Sequence, residues 1–332
     1  MKVFIIDLFL NFVRKYLYLV LALNSMLIFA APNDVYPARP IRLIVAVQPG
    51  GNLDMVGRAV AEKISEGLAQ RILVENRPGA NSTIGLSAMA RAVPDGYTFA
   101  MIAQSALVAP RMMRNPPYDP IRDFSAVSLI ATVPQMLVVH PSLPVHSVKE
   151  LIAFAKVRPG KLNCGSSGNG SGSHLALELF NKLAKVSIVR IPYNGDSQAI
   201  TELLGGQVPI KFDNLSTSLP YVRLGRLRPL GVTTPVRSVL LPDIPAISEM
   251  LPGYQMSVFN GMVGPTLIHP DILVRIHSEI QRFTQSQDAK QRFAMLGVEL
   301  QASPSPAHFS NFIKSEYISL SKVLDDAGIK PE

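Results

Sequence analysis

The sequence predicts an α/β protein built on parallel sheets, and three observations carry the prediction. From Ile41 onward, short apolar runs alternate with segments of helical spacing. Several runs are apolar at consecutive positions, as in strands covered on both faces. A glycine-rich turn between a strand and a helix occurs twice, about 115 positions apart.

Taken in order, the predicted strands are Ile41–Val47, Ile72–Glu75, Phe99–Ala103, Met136–Val139, Leu162–Gly165, Ile188–Ile191, Val208–Phe212 and Pro229–Val232. Between them, Asp54 to Leu68 places Met55, Val56, Ala59, Val60, Ile64 and Leu68 on one helical stripe. Ser147-Val-Lys-Glu150 reads as a capping box opening a helix through Lys156. Ser173–Leu183 and Ser197–Leu204 are further helices, the second stopped by Gly205-Gly206. The C-terminal part is helical over Pro270–Thr284, Asp288–Leu296 and Pro306–Ala327, with proline opening helices and Gly297 following one.

The first 31 residues differ from the rest. Lys2, Arg14 and Lys15 precede an apolar run, Tyr16 to Ala31, which meets the polar Pro32-Asn33-Asp34. That order is an export signal, expected to be cleaved near Ala30-Ala31, and the run is short for a membrane span. The single cysteine, Cys164, excludes an internal disulfide and reads as a small buried hydrophobe. The formal charge of +8 falls to about +6 without the signal, and the charges are scattered with no basic stripe among aromatics. Nucleic-acid binding is therefore not expected, whereas a basic exterior favours capture of anions.

In the first turn, Gln48-Pro49-Gly50-Gly51-Asn52-Leu53-Asp54 leads from a buried strand into a helix. Successive N–H groups at such a helix start form an anion nest suited to a carboxylate or phosphate, or the segment is an ordinary tight βα turn. No Lys-Ser/Thr follows, which excludes a nucleotide P-loop. The second turn, Asn163-Cys-Gly-Ser-Ser-Gly-Asn-Gly-Ser-Gly-Ser-His174, concentrates hydroxyls and backbone donors before a helix. It lacks a serine with glycine at both −2 and +2, and no acidic residue ends a strand about twenty positions on. Binding fits this turn better than hydrolase or dinucleotide chemistry. His174, in the first helical turn, is either a ligand contact or a packed histidine. Asp119 and Asp123 read as turn and cap residues. Asp213, at the C-terminal end of a strand, is either a site residue or an Asx turn. The six histidines are scattered without metal-ligand spacing, so neither metal nor cofactor is expected.

Ten motifs then recur in the order known from one family. They begin with Tyr36-Pro37-x-Arg39-Pro40-Ile41, Pro49-Gly50-Gly51-x-x-Asp54, Val74-Glu75-Asn76-Arg77-Pro78-Gly79-Ala80 and Pro94-Asp95-Gly96-Tyr97-Thr98. Tyr118-Asp119-Pro120, Ser166-x-Gly168-x-Gly170-Ser171-x-x-His174-Leu175 and Pro192-Tyr193-x-Gly195 follow. Leu204-Gly205-Gly206-Gln207, Phe212-Asp213 and Leu241-Pro242-Asp243-x-Pro245 complete the set. The chain resembles the Bug receptors, periplasmic solute-binding components associated with tripartite tricarboxylate transporters, over essentially its whole mature length.

The resemblance implies an α/β two-lobe periplasmic-binding-protein fold, type II-like, with two interlobe crossovers. Lobe 1 would hold 36–133 and 231–332, and lobe 2 would hold 134–230. It implies a monomeric, non-enzymatic receptor that captures a small carboxylate between the lobes and serves integral-membrane permease subunits or a sensor protein. A sensory protein of the same fold, or less readily an α/β hydrolase-like enzyme, is the alternative. Carried onto this chain, the ligand would meet Gly50, Gly51, Asn52 and Asp54 from one side and Ser166, Gly168, Gly170, Ser171 and His174 from the other. Tyr193, Gly195 and Asp213 would line the far lobe, with Ser82 and Ser105 as further candidates. Leu53, Asn194, Phe259 and Ala46-Val47-Gln48 depart from the family pattern and point to a less charged guest, a monocarboxylic or aromatic acid.

Overall fold

The apolar runs form strands and the periodic segments between them form helices in the computed structural model, which describes residues 36–238 and 241–331. The expected export signal, 1–31, lies outside the described residues. The account that follows is of Arg39–Glu332, which form one unit.

The chain begins with three βα repeats: β1 (Ile41–Val45), α1 (Asn52–Leu68), β2 (Ile72–Asn76), α2 (Thr83–Ala90), β3 (Thr98–Ile102) and α3 (Gln104–Val108). β1 pairs in parallel with both β2 and β3. A second set comprises β5 (Leu162–Ser166), α5 (Gly172–Ala184), β6 (Ile188–Pro192), α6 (Asp196–Leu204), β7 (Ile210–Asn214) and α7 (Leu215–Arg223). Here β5 is parallel to β6 and to β7. The helix α4 (Val148–Lys156) precedes this set. Its Ser147 Oγ accepts the Glu150 N–H at 3.1 Å, but the Glu150 carboxylate turns to the His146 N–H, so only half of the expected box forms.

One long strand, β4 (Phe124–Val139), joins the two sets. Phe124 to Pro134 run antiparallel to β9 (Ser257–Pro265), which in turn is antiparallel to β3. Gln135 to Val139 run antiparallel to β7, and Met136 to Val139 also pair with β8 (Arg228–Val232). Pro134, with no N–H to donate, stands where β4 changes partners. The sheets are therefore mixed, which corrects the expectation of parallel sheets. Pro134-Gln135 ends the apolar run when the sequence is read backwards from Val139, so the expected strand Met136–Val139 is only the last quarter of β4. Asn260-Gly261 broke the run of β9 in the same way.

Packing follows the pleat. Leu137 and Val139 face the core that holds Phe180, Phe212 and Tyr254, while Met136 and Val138 face Ile200, Leu203, Leu215 and Leu219. Both faces of this sheet are covered, which is why consecutive residues are apolar. Tyr254, on the segment returning from β8 to β9, stacks on Phe212 and donates its hydroxyl to the Ala176 carbonyl at 3.0 Å. Cys164 is buried, and burial pushes its thiol up to about 12. The remaining C-terminal elements are α8 (Pro270–Gln285), α9 (Gln287–Met295), β10 (Glu299–Leu300), which pairs with β4, and α10 (Pro306–Asp326). Among the described residues no helix is long and apolar enough to cross a membrane.

Candidate functional site

In parallel βα repeats every helix starts near the carboxyl end of the strand before it, so the helix starts gather on one edge. Here they gather around one cavity of about 100 Å³. The N-cap residues of six helices line it: Gly51 of α1, Ser82 of α2, Ala103 of α3, Ser171 of α5, Gly195 of α6 and Asn214 of α7. Each helix start leaves backbone N–H groups without intrahelical partners and carries a partial positive charge. Among the described residues no lysine, arginine or histidine side chain lines the cavity, and its one acidic side chain is Asp196. The donors that face the cavity are therefore backbone N–H, hydroxyl and amide groups rather than cationic side chains.

The fourteen residues singled out in the sequence divide into three groups. Gly51, Asn52, Ser82, Ser105, Ser171 and Gly195 line the cavity. Gly50 borders a neighbouring depression, with Ser197 and Ser216. The others support the loops from behind. Asp54 is buried and accepts the Gly50 N–H and Arg58 Nε on Oδ2, both at 3.0 Å, and Asn76 Nδ2 on Oδ1 at 2.8 Å. Burial alone would raise its pKa, but these hydrogen bonds outweigh it and hold the carboxyl below its usual range. Asp54 therefore shapes the first turn. Asp119 and Asp123 form a turn of the expected kind, with the Asp119 N–H donating to Asp123 Oδ2 at 2.8 Å.

In the second turn Ser166 is fully buried and its Oγ accepts Arg190 Nη1 at 3.3 Å. Gly168 has φ of +121°, and a Cβ there would stand 2.8 Å from Asn81 Oδ1. Asn81 reaches over from the loop after β2 and accepts the Asn169 N–H at 3.0 Å. The Gly170 N–H donates to His174 Nδ1, also at 3.0 Å. Burial lowers the His174 pKa despite the nearby Glu178, so the ring is neutral at pH 7 and pins the loop through Nδ1. Ser171 caps α5, accepting the His174 N–H at 3.3 Å. Tyr193 donates its N–H to the Ser166 carbonyl at 2.9 Å and lays its ring beside Gly165.

Asp213 faces away from the cavity into a charged network. Lys211 and Asp213 are both fully buried and form a short ion pair, and Lys211 Nζ lies 3.3 Å from Asp196 Oδ1. Burial opposes the charge on Lys211, but the two carboxylates outweigh it and push its pKa above the ordinary lysine value. Asp196 is held further by Ser167 Oγ and by Asn214 Nδ2 at 3.1 Å. Lys211, which the sequence did not single out, thereby fixes the carboxylate on the cavity wall. Among the described residues no group of three or more His, Cys, Asp and Glu side chains is placed to hold a metal ion.

The sequence reading missed the cavity's amides: Asn81, Gln104, Gln135, Asn169, Asn214 and Asn260 all line it. The pattern that marks several of them is a lone amide at or just beyond the end of an apolar strand. Of the departures from the family pattern, Val47, Gln48 and Leu53 line the cavity, whereas Phe259 is buried against Phe312. The Asn194 N–H donates to Gln198 Oε1 at the start of α6.

Comparison with known proteins follows the same lines. Protein BugT of Bordetella pertussis is 35% identical over 309 residues, covering 91% of this chain and 94% of that protein. The structure of R. palustris Rpa4515 with adipate is 34% identical, with a TM-score of 0.86 over 90% of this chain and all of that one. MatC from Rhodopseudomonas palustris with bound malate is 26% identical, with a TM-score of 0.82 over 87% of this chain and all of that one. The fold is thus that of the periplasmic solute-binding proteins of this type. The model of the tripartite tricarboxylate transporter family receptors matches residues 56–329, and the chain belongs to that family.

Proposed function

We propose that this chain is an extracytoplasmic solute-binding receptor that captures a small carboxylate in the cavity and delivers it to a membrane permease, without transforming it. The observation that carries this reading is the convergence of six helix N-caps on one cavity whose lining, among the described residues, includes no cationic side chain. Neutral N–H and hydroxyl donors favour an anion over its neutral analogue. They grip it less permanently than a buried Lys or Arg would, which suits a carrier that must release. The likeness to proteins crystallised with adipate and with malate supports a carboxylic acid. His174 commits Nδ1 to the Gly170 N–H, and Asp196, the carboxylate that accepts from Ser167 Oγ, is paired with Lys211, so no imidazole base is directed at the cavity serines.

In this reading Gly51, Asn52, Ser82, Ser105, Ser171 and Gly195 touch the acid, and Gly50, Asp54, Ser166, Gly168, Gly170, His174, Tyr193 and Asp213 hold their loops in place. The lobes are 36–133 with 231–332, and 134–230. They close on the acid through Asn52 Nδ2 to Ser216 Oγ at 3.3 Å, Ser197 Oγ to the Pro49 carbonyl at 3.4 Å, and Asn81 with Asn169. The first 31 residues direct export to the periplasm and are removed, and the closed monomer then docks on permease subunits. The amide-rich wall favours a polar acid over the aromatic one suggested by the sequence.

A thermal-shift panel of C2–C6 carboxylates on the mature protein tests the reading. At about 100 times Kd a bound acid stabilises the fold by ~2.7 kcal/mol. If no acid raises Tm and mass spectrometry of the purified protein finds none bound, the receptor reading fails.

A further inference from the structure

Among the described residues, five buried side-chain polar atoms have no hydrogen-bond partner, and four of them sit on residues lining the cavity: Asn52 Oδ1, Gln104 Oε1, Asn214 Oδ1 and Asn260 Oδ1. The fifth, Ser321 Oγ, does not line it. None of the four residues is more than 5% exposed. Native proteins leave few buried polar groups unpaired, so a concentration of them in one cavity is a signature of what the cavity receives.

All four unpaired atoms are acceptors, and for three residues the orientation is fixed. Asn214 Nδ2 donates to Asp196 Oδ2 at 3.1 Å, Asn260 Nδ2 donates to the Phe259 carbonyl at 3.0 Å, and Gln104 Nε2 donates to the Ser257 carbonyl. Each of those partners only accepts, so exchanging the amide O and N would set oxygen against oxygen. Gln135 provides the contrast. It lines the same cavity, but with its amide turned it donates to the Gly172 carbonyl at 3.2 Å and accepts the Ser173 N–H at 3.3 Å. It asks nothing of a ligand.

The unpaired oxygens are not remote from the anion site. Asn52 and Gln104 are the first residues of α1 and α3, and Asn214 is the N-cap of α7. The helix starts whose N–H groups face a carboxylate therefore also present acceptors beside it. Asp196, at the start of α6, adds negative charge to the same wall.

We infer that the acid bound here is a 2-hydroxy or 2-amino acid, whose hydroxyl or ammonium group donates to these amide oxygens next to the carboxylate. The inference rests on the carboxylate reading above and narrows it. A plain alkanoate or alkanedioate is ionised at neutral pH and carries no donor, so it would leave these acceptors to ordered water.

Calorimetric titration of the mature protein with matched acids tests the inference: succinate against malate and aspartate, and glutarate against 2-hydroxyglutarate and glutamate. The substituted acid is expected to bind at least about ten-fold more tightly than its parent. Asn260→Leu and Gln104→Met, each close in volume to the native residue, are expected to narrow that gap. If succinate and glutarate bind as tightly as their substituted partners, the inference is overturned while the carboxylate reading stands. If the preference is present but neither substitution narrows it, the assignment to these amides is overturned. If no acid of either kind binds, the inference and the reading beneath it fall together.

Discussion

The backbone N–H of Asn169 donates to Asn81 Oδ1 at 3.0 Å, so a side chain from the loop after β2 fastens the glycine-rich turn after β5. Asn81 has φ of +54°, and its neighbours Ala80 and Ser82 are also left-handed, at +44° and +75°. The loop is thus bent to aim one amide across the cavity mouth. Asn81→Gly keeps the backbone conformation accessible and deletes the bond together with one amide of the cavity wall. One hydrogen bond contributes about 0.5–1.5 kcal/mol, so Kd for the best-binding acid rises about two- to twelve-fold. Gly168→Ala, which forces a Cβ toward Asn81 Oδ1 at positive φ, weakens binding further. Unchanged affinity in both variants, measured by calorimetry, would remove this contact from the closing of the cavity.

Ser171 accepts the His174 N–H at 3.3 Å and donates to the Gly168 carbonyl at 2.8 Å. Ser171→Ala removes the cap of α5 and costs about 1 kcal/mol of stability. It also loosens a wall of the cavity, so affinity for the acid falls with it. Denaturant unfolding with and without acid measures both effects. A variant that lost stability alone would place Ser171 outside the binding surface.

His174 gives the molecule an acid-sensitive joint. Burial lowers its folded pKa below the unfolded value of about 6.5. The unfolded chain therefore binds the proton first, and stability falls as pH drops through that value and continues to fall until the folded pKa is passed. Protonation also abolishes the acceptor for the Gly170 N–H. The wild type is expected to lose more Tm than His174→Gln between pH 7.5 and 5.5. Parallel Tm profiles for the two proteins would contradict this.

Lys211 lies fully buried between Asp213 and Asp196. Lys211→Met leaves two carboxylates without their cation beneath the cavity. Removing one partner of a buried pair costs about 3–5 kcal/mol, which denaturant unfolding resolves easily. A loss below about 1 kcal/mol would mean that the network is not held by charge.

The sequence exposed the helix starts and hid the strand that ties them together. Gly50-Gly51 and the run from Gly165 to Ser173 were legible because a chain turning from a buried strand into a helix needs glycine and hydroxyl residues there. β4 was legible only beyond Pro134, since a proline in a strand reads as a break until a change of partner explains it. Likewise Pro220 inside α7 concealed that helix, and with it the role of Asn214 as its N-cap. Asp213 stands out in the sequence because it lies at the carboxyl end of a strand, where open α/β sheets place ligands. The alternation of a strand turns Asp213 toward Lys211 and Thr217 and leaves Asn214 to the cavity. Gln104, Gln135 and Asn260 come from three separate elements and meet only through the pairing of β3, β9 and β4, which no local pattern encodes.

The central claim is that helix N-termini, not cationic side chains, select an anion. Calorimetric titration of the mature protein with an acid that binds, and with its isosteric amide in which –CO₂⁻ becomes –CONH₂, tests it directly. The account predicts binding of the acid and loss of at least about a hundred-fold in affinity for the amide, equivalent to ~2.7 kcal/mol. Equal affinity for the two compounds would contradict it.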